Sequence, residues 1–146
     1  MNPRISFWWR WLIVSASGVL LFGLSLVLLP APMQRLFNLL YFSSSRANLS
    51  FGPAAVSYIQ FVCAVLGSVM IGWSAALLLV LFGAFRRGLR EGWNLIAIAL
   101  VAWFLPDTAF SLLSGFWQNA VLNLAIAVFF AIPLGFTFKH FHSSSC

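Results

Sequence analysis

Long runs of apolar residues constrain the fold of this chain more than any other feature. Residues 54–85 form 32 consecutive positions, and residues 11–29 form 19, without one charged side chain. A helix rises about 1.5 Å per residue, so about 20 apolar residues suffice to cross the hydrocarbon core of a bilayer. These runs therefore predict membrane-spanning helices.

The composition excludes a water-soluble globule. Apolar residues make up 62% of the chain and charged residues 7%, whereas soluble domains average about 45–50% and about 25%. The 16 Phe and 7 Trp residues also exclude a solvated, disordered chain. We therefore expect an all-α integral membrane protein that forms a single domain over residues 1–146.

The apolar pattern predicts four transmembrane helices in an antiparallel bundle. The predicted spans cover about residues 11–29, 54–85, 93–113 and 120–138. The third span is expected to be interrupted at Pro106, because proline removes a backbone hydrogen bond and clashes with the preceding turn.

A short amphipathic helix is predicted over about residues 33–42, between the first two spans. Its apolar residues recur at helical spacing: Met33, Leu36, Phe37, Leu40 and Tyr41. Ten residues are too few to cross a bilayer, so we expect this helix to lie along the membrane interface.

The basic residues predict the orientation in the membrane. Six of them lie near the span ends on the side that carries both termini, and two lie on the other side. The six are Arg4, Arg10, Arg86, Arg87, Arg90 and Lys139, and the two are Arg35 and Arg46. Because Lys and Arg are enriched in cytoplasmic loops, both termini are expected in the cytoplasm.

Asp107 is the only acidic residue within a predicted span. An ionised carboxylate inside a membrane is unfavourable, so we expect it to face other helices and to have polar partners. Polar residues of the second, third and fourth spans are expected at a similar depth in the outer half of the bilayer. The predicted polar cluster or ligand site comprises Asp107, Ser111, Asn119, Asn123, Gln60, Tyr58, Trp103 and Arg46.

Two interpretations of this cluster stay open at the level of sequence. Asn and Ser side chains between membrane helices commonly act as packing contacts worth about 0.6 kcal/mol each, and an Asp after Pro often caps a helix. Alternatively, the cluster binds a lipophilic ligand or transfers a proton, with Asp107 as the acid or base.

Small residues repeat every four positions along the second span. They are Ala64, Ser68, Gly72 and Ala76. Small side chains at this spacing allow another helix to approach closely. The expected neighbour is a helix of the same chain or, alternatively, a partner subunit.

No set of residues predicts a metal site or a catalytic centre. His140 and His142 lie two positions apart and lack a third ligand, and the sequence has no Cys-x-x-Cys pair or Gly-rich phosphate loop. We therefore predict no metal, cofactor or catalytic residue, although the apolar spans are compatible with bound lipid, quinone or pigment. The basic residues are scattered over several loops, so nucleic acid is not an expected partner.

The layout resembles that of DoxX-like proteins, small four-helix membrane proteins of bacteria. The features that carry the resemblance are a first span that ends in Leu28-Leu29-Pro30, an amphipathic connector, a glycine-rich second span around Gly67 and Gly72, and a basic turn before the third span. The resemblance extends along most of the chain. It implies a four-helix fold. We expect the membrane to be a bacterial inner membrane or a photosynthetic membrane.

The expected function is that of a non-enzymatic accessory or structural subunit of a larger membrane complex. Almost no mass is expected outside the membrane, and no complete catalytic set can be assembled from the residues. Expected partners are membrane lipids and other membrane-embedded subunits, or further copies of the chain. The alternative is a binding protein or small membrane enzyme that holds a quinone, lipid or pigment near Asp107.

Overall fold

A computed structural model of the chain describes residues 3–42 and 51–142, and these residues fold into helices and the turns between them. The elements are α1 (Pro3–Leu28), α2 (Pro30–Phe42), α3 (Pro53–Val80), a π-helical turn (Leu81–Phe85), α4 (Arg90–Leu113) and α5 (Trp117–His142). Arg46, which the sequence places in the polar cluster, lies outside the described residues.

Four helical segments are long and apolar enough to cross a membrane. They are Pro3–Leu28, Pro53–Phe85, Arg90–Leu113 and Trp117–His142. The prediction of an all-α membrane protein with four apolar helices of spanning length is therefore confirmed.

The helices extend beyond the predicted spans where polar or aromatic residues continue them. α1 begins at Pro3 rather than near residue 11, because proline is favoured in a first turn, where its missing N–H has no partner anyway. α5 covers Trp117–His142 rather than residues 120–138. Hydropathy detects only the apolar part of a helix, so it underestimates the length at these ends.

The prediction that Pro106 interrupts the third span is wrong. α4 runs without a break from Arg90 to Leu113 and includes Pro106. The missing proline N–H frees only one carbonyl, whereas a broken helix would expose several backbone groups to hydrocarbon. Asp107 therefore lies inside a helix, and the alternative that it caps a new one is also wrong.

Glycines in the left-handed conformation end two of the helical segments. Gly88 has φ +74° and Gly115 has φ +81°. After Gly115, the N–H of Phe116 donates to the Ser111 carbonyl at 2.8 Å, and the Gly115 N–H donates to Leu112 at 3.1 Å. This pair of bonds is a Schellman motif, which satisfies carbonyls at a helix end and reverses the chain within a few residues.

Close contacts divide the chain into two compact units. The first comprises residues 1–17 and 76–146, and the second comprises residues 18–75. α4 and α5 therefore belong wholly to the first unit and α2 wholly to the second, whereas α1 and α3 contribute to both.

Indole N–H groups connect the helices of the first unit. Trp93 Nε1 on α4 donates to the Leu134 carbonyl of α5 at 3.0 Å. Trp11 Nε1 on α1 donates to the Phe129 carbonyl of α5, also at 3.0 Å. That carbonyl needs an external donor because Pro133, four residues later, has no N–H. Trp11 therefore replaces a hydrogen bond that the helix itself cannot make.

Two glycines bring α1 and α3 into close contact in the second unit. A Cβ added at Gly67 would lie 2.5 Å from the Gly23 carbonyl oxygen, and one added at Gly23 would lie 2.8 Å from the Gly67 carbonyl oxygen. Both positions are therefore restricted to glycine. The rings of Phe22 on α1 and Phe37 on α2, 6.4 Å apart, bring α2 against the same unit.

α2 turns its polar residues toward the protein. Gln34 and Asn38, four positions apart, are only 2% and 6% exposed. The amide of Gln60 on α3 donates to Gln34 Oε1 at 2.9 Å. Leu36 and Leu40, from the predicted apolar face, are exposed. This arrangement buries these polar groups within the protein and leaves the two leucine side chains exposed.

The expectation that Ala64, Ser68, Gly72 and Ala76 pack against another helix of the same chain is wrong for most of these residues. Ser68, Gly72 and Ala76 are exposed, and Ala64 is half-buried. A Cβ added at Gly72 would meet no side chain or neighbouring helix of the described chain within 4 Å. The close packing of α3 occurs at Gly67 instead, about 140° around the helix from Gly72.

Replacing Gly67 with Leu is expected to destabilise the protein by about 1–3 kcal/mol, because the new side chain would overlap the backbone of α1. Gly72→Leu is the matched control and should leave the stability of the isolated chain unchanged. Thermal unfolding in detergent, followed by circular dichroism, measures both. Equal stabilities of the two variants would contradict the close contact at Gly67.

Candidate functional site

The short turn between α4 and α5 builds the candidate site. α4 ends at Leu113 and α5 begins at Trp117, so the last turns of α4 face the first turns of α5. The Schellman motif at Gly115 sets this reversal. Asp107 and Ser111, one turn apart on α4, thereby come next to Asn119 on α5.

The side chains of Asp107, Ser111 and Asn119 form one hydrogen-bonded group. Asn119 Nδ2 donates to Asp107 Oδ1 at 3.1 Å and to Ser111 Oγ at 2.8 Å. The Ser111 hydroxyl donates to the Asp107 backbone carbonyl at 2.7 Å, and its Oγ lies 3.4 Å from Asp107 Oδ1. The single hydroxyl proton favours the shorter bond, so the amide of Asn119 is the main side-chain donor to the carboxylate.

A second polar contact lies one turn deeper between the same helices. Asn123 Nδ2 donates to Thr108 Oγ1 at 3.4 Å. Asn123 is 4% exposed and Ser111 is 6% exposed, whereas Asp107 and Asn119 are half-buried. The polar groups therefore follow the contact line of α4 and α5. The sequence analysis missed Thr108. Its position directly after Asp107 in the sequence is the signal that could have identified it.

Gln60, Tyr58 and Trp103 were also predicted for this cluster. Gln60 and Tyr58 belong to the second unit, where Gln60 bonds to Gln34 and Tyr58 is 67% exposed. Trp103 is half-buried, and its ring lies edge-on to Phe104 at 6.4 Å. The structure thus brings together Asp107, Ser111 and Asn119, with Asn123 one turn away between the same helices.

Gln34 and Asn38 form a polar pair that the sequence analysis missed. Their spacing of four residues places them on one face of α2. That spacing is the signal that could have identified them. The hydrogen bond between Gln34 and Gln60 belongs to the second unit and joins α2 to α3.

The cluster around Asp107 can act as a hydrogen-bonding anchor between helices. Its side-chain donor to the carboxylate is the neutral amide of Asn119, which can orient the carboxylate. One residue before Asn119, the buried Gln118 Oε1 has no hydrogen-bond partner among the described residues. A group with an N–H or O–H could donate to this oxygen. In the described part of the chain, no group of three His, Cys, Asp or Glu residues could hold a metal ion.

Comparisons of the chain with protein-family models, with curated proteins and with solved structures found no match. The contacts of the chain itself therefore carry the functional argument.

Asp107→Asn is expected to keep the stability within about 0.5 kcal/mol, because its side-chain carbonyl can accept the Asn119 bond. Asp107→Ala is expected to lose about 1–3 kcal/mol, because it leaves polar partners unpaired. Thermal unfolding in detergent measures both variants. Ser114→Ala, at the exposed end of α4, is the control and should have no effect. Equal, negligible effects of both Asp107 variants would show that the cluster does not hold the helices together.

Proposed function

We propose that the protein is a non-enzymatic accessory subunit of a larger membrane complex, in which a helix of another membrane-embedded chain packs against α3. The observation that carries this proposal is the exposed face of α3 formed by Ser68, Gly72 and Ala76. We call it the small-residue face.

The small-residue face suits a partner helix for a physical reason. Lipid tails are as apolar as leucine side chains, so helices associate in a membrane through close packing rather than through the hydrophobic effect. A face without bulky side chains lets two backbones approach closely. Within the chain, α3 already uses this device at Gly67, where it meets Gly23. A Cβ at Gly72 would meet no neighbour, so this face is available for a second helix.

The extent of exposed apolar surface also supports a partner. In the most apolar part of the helical segment Pro53–Phe85, only 22% of the residues are buried within the chain. In that of α4, 17% of the residues are buried. Lipid covers such surfaces, but a subunit that assembles with other membrane proteins needs them as well. Other membrane-embedded subunits or a second copy of the chain are the proposed partners.

The proposal includes an arrangement in the membrane. The four long helices form an antiparallel bundle, and α2 lies along the interface with its exposed leucines in the lipid. Both termini are cytoplasmic, since six of the eight basic residues then lie on the inner side. The chain would thus keep the layout that resembles DoxX-like proteins. A reporter that is active only in the cytoplasm, fused to the C-terminus, tests the orientation and should be active.

Gly72→Leu is expected to weaken the association at least about tenfold, because the added side chain would hold the partner helix away. Gly18→Leu is the matched control, since Gly18 is also an exposed helical glycine with no neighbour within 4 Å of an added Cβ. Purification in mild detergent at native expression levels, with quantitative mass spectrometry of the bound chains, compares both with the unchanged protein.

Two outcomes would overturn the proposal of an accessory subunit. One is a monomer that purifies without a partner under these conditions. The other is retention of the same partner by Gly72→Leu and Gly18→Leu, which would place the interface elsewhere and remove the observation on which the proposal rests.

A second candidate function is the binding of a lipophilic molecule at the Asp107 cluster. The polar group of Asp107, Ser111 and Asn119 in an apolar surrounding, with the unpartnered Gln118 Oε1 beside it, favours this candidate. Mass spectrometry of organic extracts should then find a quinone, lipid or pigment with the unchanged protein and less of it with Asp107→Ala. Equal amounts in both preparations would contradict ligand binding at this cluster.

A further inference from the structure

The ends of four helical segments meet on one side of the first unit. The ring of Trp9, near the start of α1, lies 5.8 Å from that of Phe82 in the π-helical turn. The ring of Phe85 in the same turn lies 4.6 Å from that of Phe141 in the last turn of α5. α4 begins five residues after this turn, at Arg90. We call this region the basic end.

The basic end carries a large excess of positive charge. Its exposed cations are Arg4, Arg10, Arg86, Arg87, Arg90 and Lys139. Its only acidic residue is Glu91, because the other acidic residue of the chain, Asp107, lies about 25 Å further along α4. One carboxylate can neutralise at most one of these cations. The six cations and Glu91 therefore sum to a charge of +5, which favours an anionic partner.

The turn before α4 fixes the backbone that carries three of the arginines. Gly88, with φ +74°, allows a Schellman motif in which the Leu89 N–H donates to the Ala84 carbonyl at 3.0 Å. On the other side of the turn, a Cβ added at Gly92 would lie 2.5 Å from the backbone nitrogen of Phe85. The chain is therefore tightly folded here, and Arg86, Arg87 and Arg90 project from a fixed turn.

Contacts within the basic end orient two guanidinium groups without using all of their donors. The Arg86 guanidinium lies 5.3 Å from the centre of the Trp9 ring, and Trp9 Nε1 is itself fixed by a 2.8 Å bond to the Leu81 carbonyl. Arg87 Nε donates to the Gly83 carbonyl at 3.3 Å. A guanidinium has five N–H donors, so both groups retain donors for phosphate oxygens.

The aromatic residues indicate that the partner is a lipid. Tryptophan rings collect at the level of the headgroups, and Trp9 lies at that end of α1, directly against Arg86. Exposed phenylalanines lie on the adjoining turns, with Phe82 at 52%, Phe136 at 69% and Phe138 at 45%. They offer apolar surface to acyl chains, which a soluble phosphate does not have. We propose that the basic end binds the headgroup phosphate of an anionic phospholipid.

Native mass spectrometry of the full chain in detergent, titrated with phosphatidylglycerol, tests the proposal. The double variant Arg87→Gln/Arg90→Gln is expected to raise the Kd about 30-fold, since each basic residue near an anionic membrane surface contributes about fivefold to the affinity. This variant leaves the contact of Arg86 with Trp9 intact. Arg87→Lys/Arg90→Lys keeps the charge and should retain most of the affinity. Arg35→Gln, on α2 in the second unit, is the control and should bind as the unchanged protein does.

Two further titrations separate the possible sources of the phosphate group. Phosphatidylcholine, which has no net charge, should bind at least tenfold more weakly than phosphatidylglycerol. Inorganic phosphate at millimolar concentration should not displace the bound lipid. The proposal is overturned if the glutamine variant binds phosphatidylglycerol as tightly as the unchanged protein, if phosphatidylcholine binds equally well, or if inorganic phosphate displaces the lipid.

Discussion

The hydrocarbon core of a bilayer contains no water, so every backbone carbonyl and N–H there must find its partner within the protein. The first unit shows how this chain meets that requirement where a helix cannot. Pro133 leaves the Phe129 carbonyl without its helical donor, and the indole of Trp11 supplies one. In the π-helical turn, the Leu81 carbonyl accepts from both the Arg86 N–H and the Trp9 indole. The tryptophans thus satisfy the backbone and join the helices at the same time.

Polar side chains follow the same rule. Asp107 accepts from Asn119, and Gln34 accepts from Gln60, in contacts that each join two helices. The surfaces left to the surroundings are of two kinds. One is apolar and includes the small-residue face, and the other is the basic end. The first suits a partner helix in the membrane, and the second suits the anionic surface of the membrane itself.

Much of the fold follows from the sequence alone, since the length of an apolar run determines whether a helix can cross a bilayer. The number of long helices was therefore predictable, although their polar and aromatic ends were not. Part of the candidate site was predictable for a related reason. Asp107 and Ser111 are one helical turn apart near the end of α4. Because only three residues connect α4 to α5, Asn119 at the start of α5 must lie near them.

The tertiary structure alone decided which face of each helix is packed. α3 is apolar on all sides and has small residues on more than one of them. The sequence therefore predicted helix packing along the side that carries Gly72, whereas the close contact with α1 occurs at Gly67. The tertiary structure likewise paired Gln60 with Gln34 rather than with the group around Asp107. It also kept α4 continuous through Pro106. Local sequence sets length and periodicity. The choice between alternative faces depends on the complementary shape of a neighbouring helix, and that shape exists only once the helices have packed.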